Sequence, residues 1–301
     1  MSEQSQTIVL PVERRALPVA APTAWLVCAL LMIDGMHLVF AKILSAYLPP
    51  VVAAFWVITI ASAQIGVFAA AQGRYRWTTL RRHLWFFVAI GALTATSTSI
   101  TFAAIKFIDP GAAALLNQTV TLFSIAFGVV WLRERLTRAQ AVGAAICLLG
   151  VGIITFQPGD YLRIGALMIL CSSCCYALHA AIVKRYGSDI WFIEFFLWRV
   201  TVMALFLFIA SVGLGQWQWP SAEAWLWLLV VGTVDIVISR GLYYLVLRRL
   251  KVSMHALMLT ASPIVAMLWS YFLFSVQPTA QQLLGGAAVL TGIVIVTVRR
   301  K

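Results

Sequence analysis

Asp34 and His37 stand three residues apart in a long apolar run, and Tyr176 and His179 stand three apart in another. Positions i and i+3 share one face of a helix, so each pair forms a small polar face. An acid beside an imidazole can hold a cation or relay a proton, because both groups change charge with their surroundings. Arg240 offers a two-pronged guanidinium that suits a carboxylate. Tyr243, three residues on, offers an aromatic face, though packing competes with stacking as its role. Asn117 and Gln118 supply amide donors and acceptors, which either line a solute path or tie helices together. Arg199 and Asp235 are expected to pair as a structural clamp. A plainer reading stands beside the two histidines, in which each ring bonds a neighbouring carbonyl. Snorkelling to the nearer surface is the corresponding alternative for Arg240.

The setting of these residues is lipid. Hydrophobic residues make up 62% of the 301 and charged residues 11%, against roughly 45–50% and 25% in soluble domains. The mean hydropathy of +0.94 agrees. Apolar runs recur over about 23–44, 50–71, 84–105, 111–132, 138–157, 163–183, 190–213, 224–246, 252–275 and 280–298. A helix needs about 20 such residues to cross the hydrocarbon core. Backbone groups in lipid find no water, so each run is expected to be helical. A charge at mid-bilayer costs about 2.5–3.5 kcal/mol on insertion scales, so intramembrane Asp, His and Arg imply a cavity or partners. Pro263 falls inside the ninth run and is expected to bend it.

The net charge of +12 is not the footprint of nucleic-acid binding, since no basic face exists outside short loops. Arg14, Arg15, Arg74, Arg76, Arg81, Arg82, Arg133, Arg135, Arg138, Lys184, Arg185, Arg248, Arg249, Lys251 and Arg299–Lys301 all fall on one side of ten crossings. Lys42, Lys106 and Arg163 fall on the other. That is the positive-inside pattern, and it places both termini in the cytoplasm. The lipid bilayer of the cell inner membrane is the expected location. Residues 1–22 read as a cytoplasmic tail. Cys171, Cys174 and Cys175 form a C-x-x-C-C run without a second cluster, a poor metal site; they read as packing residues. No G-x-x-x-x-G-K-[ST] or H-E-x-x-H motif occurs, which argues against ATP-driven pumping, a bound cofactor or intramembrane proteolysis.

The chain also contains itself twice. Residues 23–158 superpose on 165–300 without gaps, at the offset 179 − 37 = 142. His37 meets His179, Lys42 meets Lys184, and Trp56 meets Trp198. Thr137, Gln140 and Gly143 meet Thr279, Gln282 and Gly285. Gly150 meets Gly292, and the small residues of the fifth and tenth runs, Gly143, Gly150 and Gly152 with Gly285, Gly286 and Gly292, predict close helix packing there. An odd number of crossings per copy inverts the second copy in the membrane, as in many secondary transporters. The basic loop 72–82 supports inversion, because its counterpart near 214–224 carries no basic residue.

The segments F-A-A-I-K-F-I-D-P-G-A-A-A-L-L from Phe102 and G-V-V-W-L-R-E-R-L-T-R-A-Q-A-V-G-A-A-I-C-L-L-G-V-G from Gly128 resemble the EamA domain of the drug/metabolite transporter superfamily. In the second copy A-L-M-L-T-A-S-P-I-V-A from Ala256 and Q-L-L-G-G-A-A-V-L-T-G-I from Gln282 resemble the same domain. The resemblance implies an all-α polytopic membrane protein of ten helices in two inverted five-helix repeats, residues 23–158 and 163–301. It also implies export of amino acids, other metabolites or drugs, or exchange of nucleotide sugars. The chain departs from the pattern where Asp34-Gly35 replaces a Trp-Gly element and where Ser275-Val276-Gln277 lacks the acid of Leu132-Arg133-Glu134. The expected function is a non-enzymatic secondary carrier, with a small-molecule substrate and protons as partners. The substrate would bind near Asp34, His37, Asn117 and His179. Efflux of drugs or organic cations is the alternative, with a non-transporting membrane scaffold or an intramembrane enzyme ranked behind it.

Overall fold

The computed structural model describes residues 21–73, 76–131, 133, 137–155, 164–187, 190–249 and 258–298. The tail 1–20, Arg74, Leu132, Glu134, Lys251, the start of the ninth run at 252–257 and Arg299–Lys301 lie outside the described residues. Those described are helical, with turns between. The helices are α1 (Ala21–Gly35), α2 (His37–Leu44), α3 (Pro50–Ala71), α4 (Trp77–Arg82), α5 (Leu84–Ala104), α6 (Pro110–Asn117), α7 (Val120–Val130) and α8 (Arg138–Thr155) in the first copy. The second copy has α9 (Ile164–Tyr186), α10 (Phe192–Gly213), α11 (Ala222–Val231), a π-helical turn (Gly232–Ile238), α12 (Ser239–Arg249), α13 (Ser262–Phe274) and α14 (Ala280–Val298). Among the described residues, seven continuous or nearly continuous helical stretches are long and apolar enough to cross a membrane, and three shorter apolar helices accompany them.

Element ends follow from local chemistry, and the duplication governs them. Pro50 and Pro110 sit in first turns, where a missing N–H leaves nothing unpaired. Asp109 caps α6 by accepting from the Ala112 amide at 2.8 Å. The matches Thr137/Thr279 and Gln140/Gln282 prove to be twin capping boxes. The Thr amide donates to the Gln carbonyl oxygen (2.9 Å in each copy), and the Gln amide donates back to the Thr hydroxyl (3.3 and 3.2 Å). The four described residues with positive φ form two repeat pairs: Gly73 with Gly215, and Arg133 with Ser275. Gly73 and Gly215 end α3 and α10 in the left-handed conformation that glycine adopts without strain.

The copies interlock rather than standing side by side. α5 packs on α9, α3 on α10, and α8 on α14, each a contact between copies. Glycine explains the closeness of the last pair. A Cβ on Gly292 would lie 2.5 Å from the Gly143 carbonyl oxygen and 2.7 Å from the Cys147 amide, and one on Gly150 2.6 Å from the Gly285 oxygen. Two members of the predicted stripe depart from it. A Cβ on Gly152 would meet open space, and Gly286 faces Leu115 of α6. Between α5 and α9 the tie is polar: Ser172 shares hydrogen bonds with Ser97 (2.8 Å) and Thr101 (2.6 Å), all three buried. The repeat-related seam of α1 with α12 is apolar, built on Val27, Leu30 and Val246.

Four interruptions shape the centre. The fourth stretch breaks at Gln118-Thr119, where amides reach back only three residues and the Thr119 hydroxyl donates to the Leu116 carbonyl at 2.7 Å. The ninth breaks at the repeat-equivalent Thr260-Ala261, just ahead of Pro263 in the first turn of α13. One break is made by a back-bonding hydroxyl and the other by a missing N–H. The first stretch is interrupted at Met36, between α1 and α2, and the eighth by its π-helical turn. The repeat mates of these last two lie in the unbroken α9 and α5.

Candidate functional site

All four interruptions border one cavity of about 630 Å³. Its walls come in repeat pairs: Asp34 with Tyr176, Val57 with Arg199, Thr98 with Arg240, and Asn117 with Leu259 line it together. The cavity therefore lies between the two copies. It extends to Lys184 in the last turn of α9 and Gln140 in the first turn of α8, among the basic residues of that end. Within each pair the chemistry is unequal. An acid faces a phenol, a valine faces a guanidinium, and an amide faces a leucine.

The breaks bring distant polar groups together. With Met36 interrupting the helix, His37 begins α2 and its Nδ1 lies 2.7 Å from Asp235 Oδ2 in the π-helical turn. The extra residue per turn of a π-bulge re-aims side chains relative to a regular helix, and such bulges gather at functional sites. The Asp235 side chain is 4% exposed, whereas the His37 ring is 38% exposed toward the cavity. Asp34 accepts from the Ser262 hydroxyl at 2.6 Å, across from α1 to the start of α13. Asn117 Oδ1 accepts from the Ser173 hydroxyl at 3.3 Å, joining the fourth-stretch break to α9.

The expected clamp between Arg199 and Asp235 does not form. Asp235 is engaged by His37, and no ion pair joins Arg199 to a described residue. The π-helical turn gives the carboxylate to the first stretch rather than to α10. Arg199 lies instead within hydrogen-bonding reach of the Tyr176 hydroxyl, with its Nε buried and without an acceptor. Of the residues expected at the site, Asp34, His37, Asn117, Gln118, Tyr176 and Arg240 line the cavity. His179 and Tyr243 do not. The His179 ring is buried beside Tyr176, 5.2 Å between centroids; it leans toward the Tyr176 carbonyl, but neither ring nitrogen makes a well-formed hydrogen bond. The Arg240 guanidinium lies 6.0 Å from the Tyr243 ring. The symmetry that matched the two histidines holds for their positions but not for their exposure, because only the first lies next to a helix break. Sequence reasoning missed Ser262 as the partner of Asp34, Lys184 as a wall of the cavity and Arg199 as a cavity cation.

Comparison with known proteins agrees with this architecture. The model of the EamA-like transporter family matches residues 22–156 and again 163–298. The uncharacterized transporter YdfC of Bacillus subtilis is 31% identical over 195 residues, which span 62% of each chain. An uncharacterized transporter of Archaeoglobus fulgidus is 22% identical over 277 residues, 92% of this chain and 99% of that one. A protein of known crystal structure superposes with a TM-score of 0.63 at 18% identity, covering 92% of this chain and 97% of its own, a likeness of fold. Two family matches fall on the two copies that the 142-residue offset defines, around a cavity between them; the chain is a multi-pass membrane protein and belongs to the EamA-like transporter family.

Proposed function

We propose that the chain is an inner-membrane secondary carrier that exports small metabolites, amino acids or related amphiphilic compounds, by alternating access. Ten crossings with both termini in the cytoplasm fit the basic loops, with the three shorter helices completing the count. The observation that carries the reading is the cavity itself. It is walled by repeat-paired residues, holds ionisable groups from α1, α2, α9, α10, α12 and the π-helical turn, and extends to the basic end at Lys184. Binding at the repeat interface between broken helices is the arrangement of inverted-repeat carriers. Because α3, α5 and α8 each pack on a helix of the other copy, the units that rock draw helices from both copies.

Proton coupling fits the same geometry. Asp34 and the His37–Asp235 pair sit where a change of protonation alters which helices hold together. Counterflow and uptake in proteoliposomes, with panels of amino acids, sugars and amines and with or without a pH gradient, tests the reading. Saturable exchange is expected, accelerated by the gradient. An Asp34→Asn chain that still concentrates substrate under a proton force would refute the role of Asp34 in coupling. The absence of any saturable flux would refute the carrier. Efflux of organic cations is the second reading, and Asp34 beside Ser262 is the feature that favours it.

A further inference from the structure

The two carboxylates of the cavity both have partners: Asp34 accepts from Ser262 at 2.6 Å, and Asp235 is engaged by His37 at 2.7 Å. Among the described residues, Arg199 has no carboxylate partner. Its Nε is buried without an acceptor, and its guanidinium stands beside the Tyr176 hydroxyl. On α10 it is flanked by Phe196, Val200 and Met203, which line the same cavity and are apolar. Arg199 is partly exposed to the cavity, and a cation within lipid without a counterion is unfavourable unless something supplies the anion. The frame of the fold does not call for it, because the repeat mate Val57 occupies the equivalent wall as a hydrocarbon. A guanidinium presents parallel N–H donors matched to a planar oxyanion.

We propose that Arg199, with the Tyr176 hydroxyl as a second donor, receives the carboxylate of the transported molecule, whose apolar body lies against Phe196 and Met203. The proposal rests on the carrier reading above and narrows it to small organic carboxylates over organic cations. Arg199 is then a specificity-determining residue.

Two measurements on the full chain in detergent test this. The first needs no ligand. Replacing Arg199 by Met removes a cavity cation whose Nε is buried without an acceptor, so the melting temperature of the ligand-free chain is expected to rise by about 2–4 °C, the shift of roughly one stabilising kcal/mol in a chain of this size. A structural cation would give a fall instead, and a fall overturns the proposal. The second uses matched probes: 4-methylvalerate and leucine carry a carboxylate, while leucinamide and isoamylamine have the same body without one. Thermal shift and calorimetry are expected to show binding of the carboxylates alone. Arg199→Gln should weaken it roughly 10- to 100-fold, the loss of a charge-assisted hydrogen bond. Arg199→Lys, which keeps the charge and guards against a folding defect, should weaken it less. Binding of the two amines alone, or unchanged carboxylate affinity in Arg199→Gln, overturns the assignment while leaving a carrier in place. Failure of all four probes in binding, together with no saturable counterflow of any solute, overturns the carrier reading and the assignment with it.

Discussion

The seam of α8 with α14 and the walls of the cavity descend from the same duplication, yet they treat it in opposite ways. Along the seam the copies agree. Twin Thr-Gln capping boxes open both helices, and Gly150 and Gly292 bring the backbones together at equivalent points. Around the cavity the copies occupy equivalent positions with different chemistry: Asp34 against Tyr176, Val57 against Arg199, Thr98 against Arg240. Two copies of one sequence supply equivalent positions around the cavity. A substrate without two-fold symmetry needs unlike groups on its two sides. The contrast separates what holds the molecule together from what it recognises.

The largest effect is expected from breaking the seam. Gly292→Leu drives a side chain against the Gly143 carbonyl and the Cys147 amide, which as backbone atoms cannot move aside. Overpacking of this kind costs about 1–3 kcal/mol or more, and the folded yield measured by size-exclusion chromatography should collapse. Gly152→Leu, where a side chain enters open space, should leave the yield near wild type. Equal losses from both would remove the seam as the scaffold.

A smaller effect is expected from Asp235. Asp235→Leu strands His37 and is expected to destabilise by about 1–3 kcal/mol, the penalty for a polar group left unpaired. The companion change His37→Leu in the same chain should recover part of that loss, so a double-mutant cycle read by thermal unfolding gives a coupling well above zero. Additive losses would mean that the 2.7 Å contact carries no weight. Transport should fall in both single variants if the pair links the first stretch to the eighth.

The smallest effect separates two residues that the seam makes look equal. Gln140 and Gln282 close equivalent capping boxes, but Gln282 Nε2 also donates to Asp109 Oδ2 at 2.8 Å, tying α14 to the cap of α6. Gln140→Leu is expected to lose about 0.5–1 kcal/mol for the cap. Gln282→Leu should lose about 1 kcal/mol more for the added bond. Equal chemical-denaturation midpoints for the two variants would erase the distinction.

Much of the frame was legible in the chain because it rests on local or periodic signals. Apolar run lengths, the Thr-x-x-Gln pairs, the small-residue stripes and the 142-residue offset each need only neighbours in sequence or a self-comparison. The site was legible in part. Six of the eight residues expected there line the cavity, since an ionisable or amide group within lipid already signals water or a partner. His179 and Tyr243 lie off its walls, because facing a cavity depends on helix rotation, and position in a repeat does not report rotation. The Arg199–Asp235 clamp failed for a related reason: a π-helical turn shifts the facing of Asp235, and nothing local in Gly232–Ile238 announces it.

By itself the sequence determined that this chain is helical, embedded in lipid, duplicated, and furnished with a few charges that lipid alone would not tolerate. Those properties follow from composition, period and count, which do not depend on where any helix points. Only the tertiary structure decided who meets whom: His37 with Asp235, Asp34 with Ser262, and Arg199 with no acid. Those pairings span 198 and 228 residues of chain. They are set by where four helices break, and a break places a side chain only after the helices around it have packed.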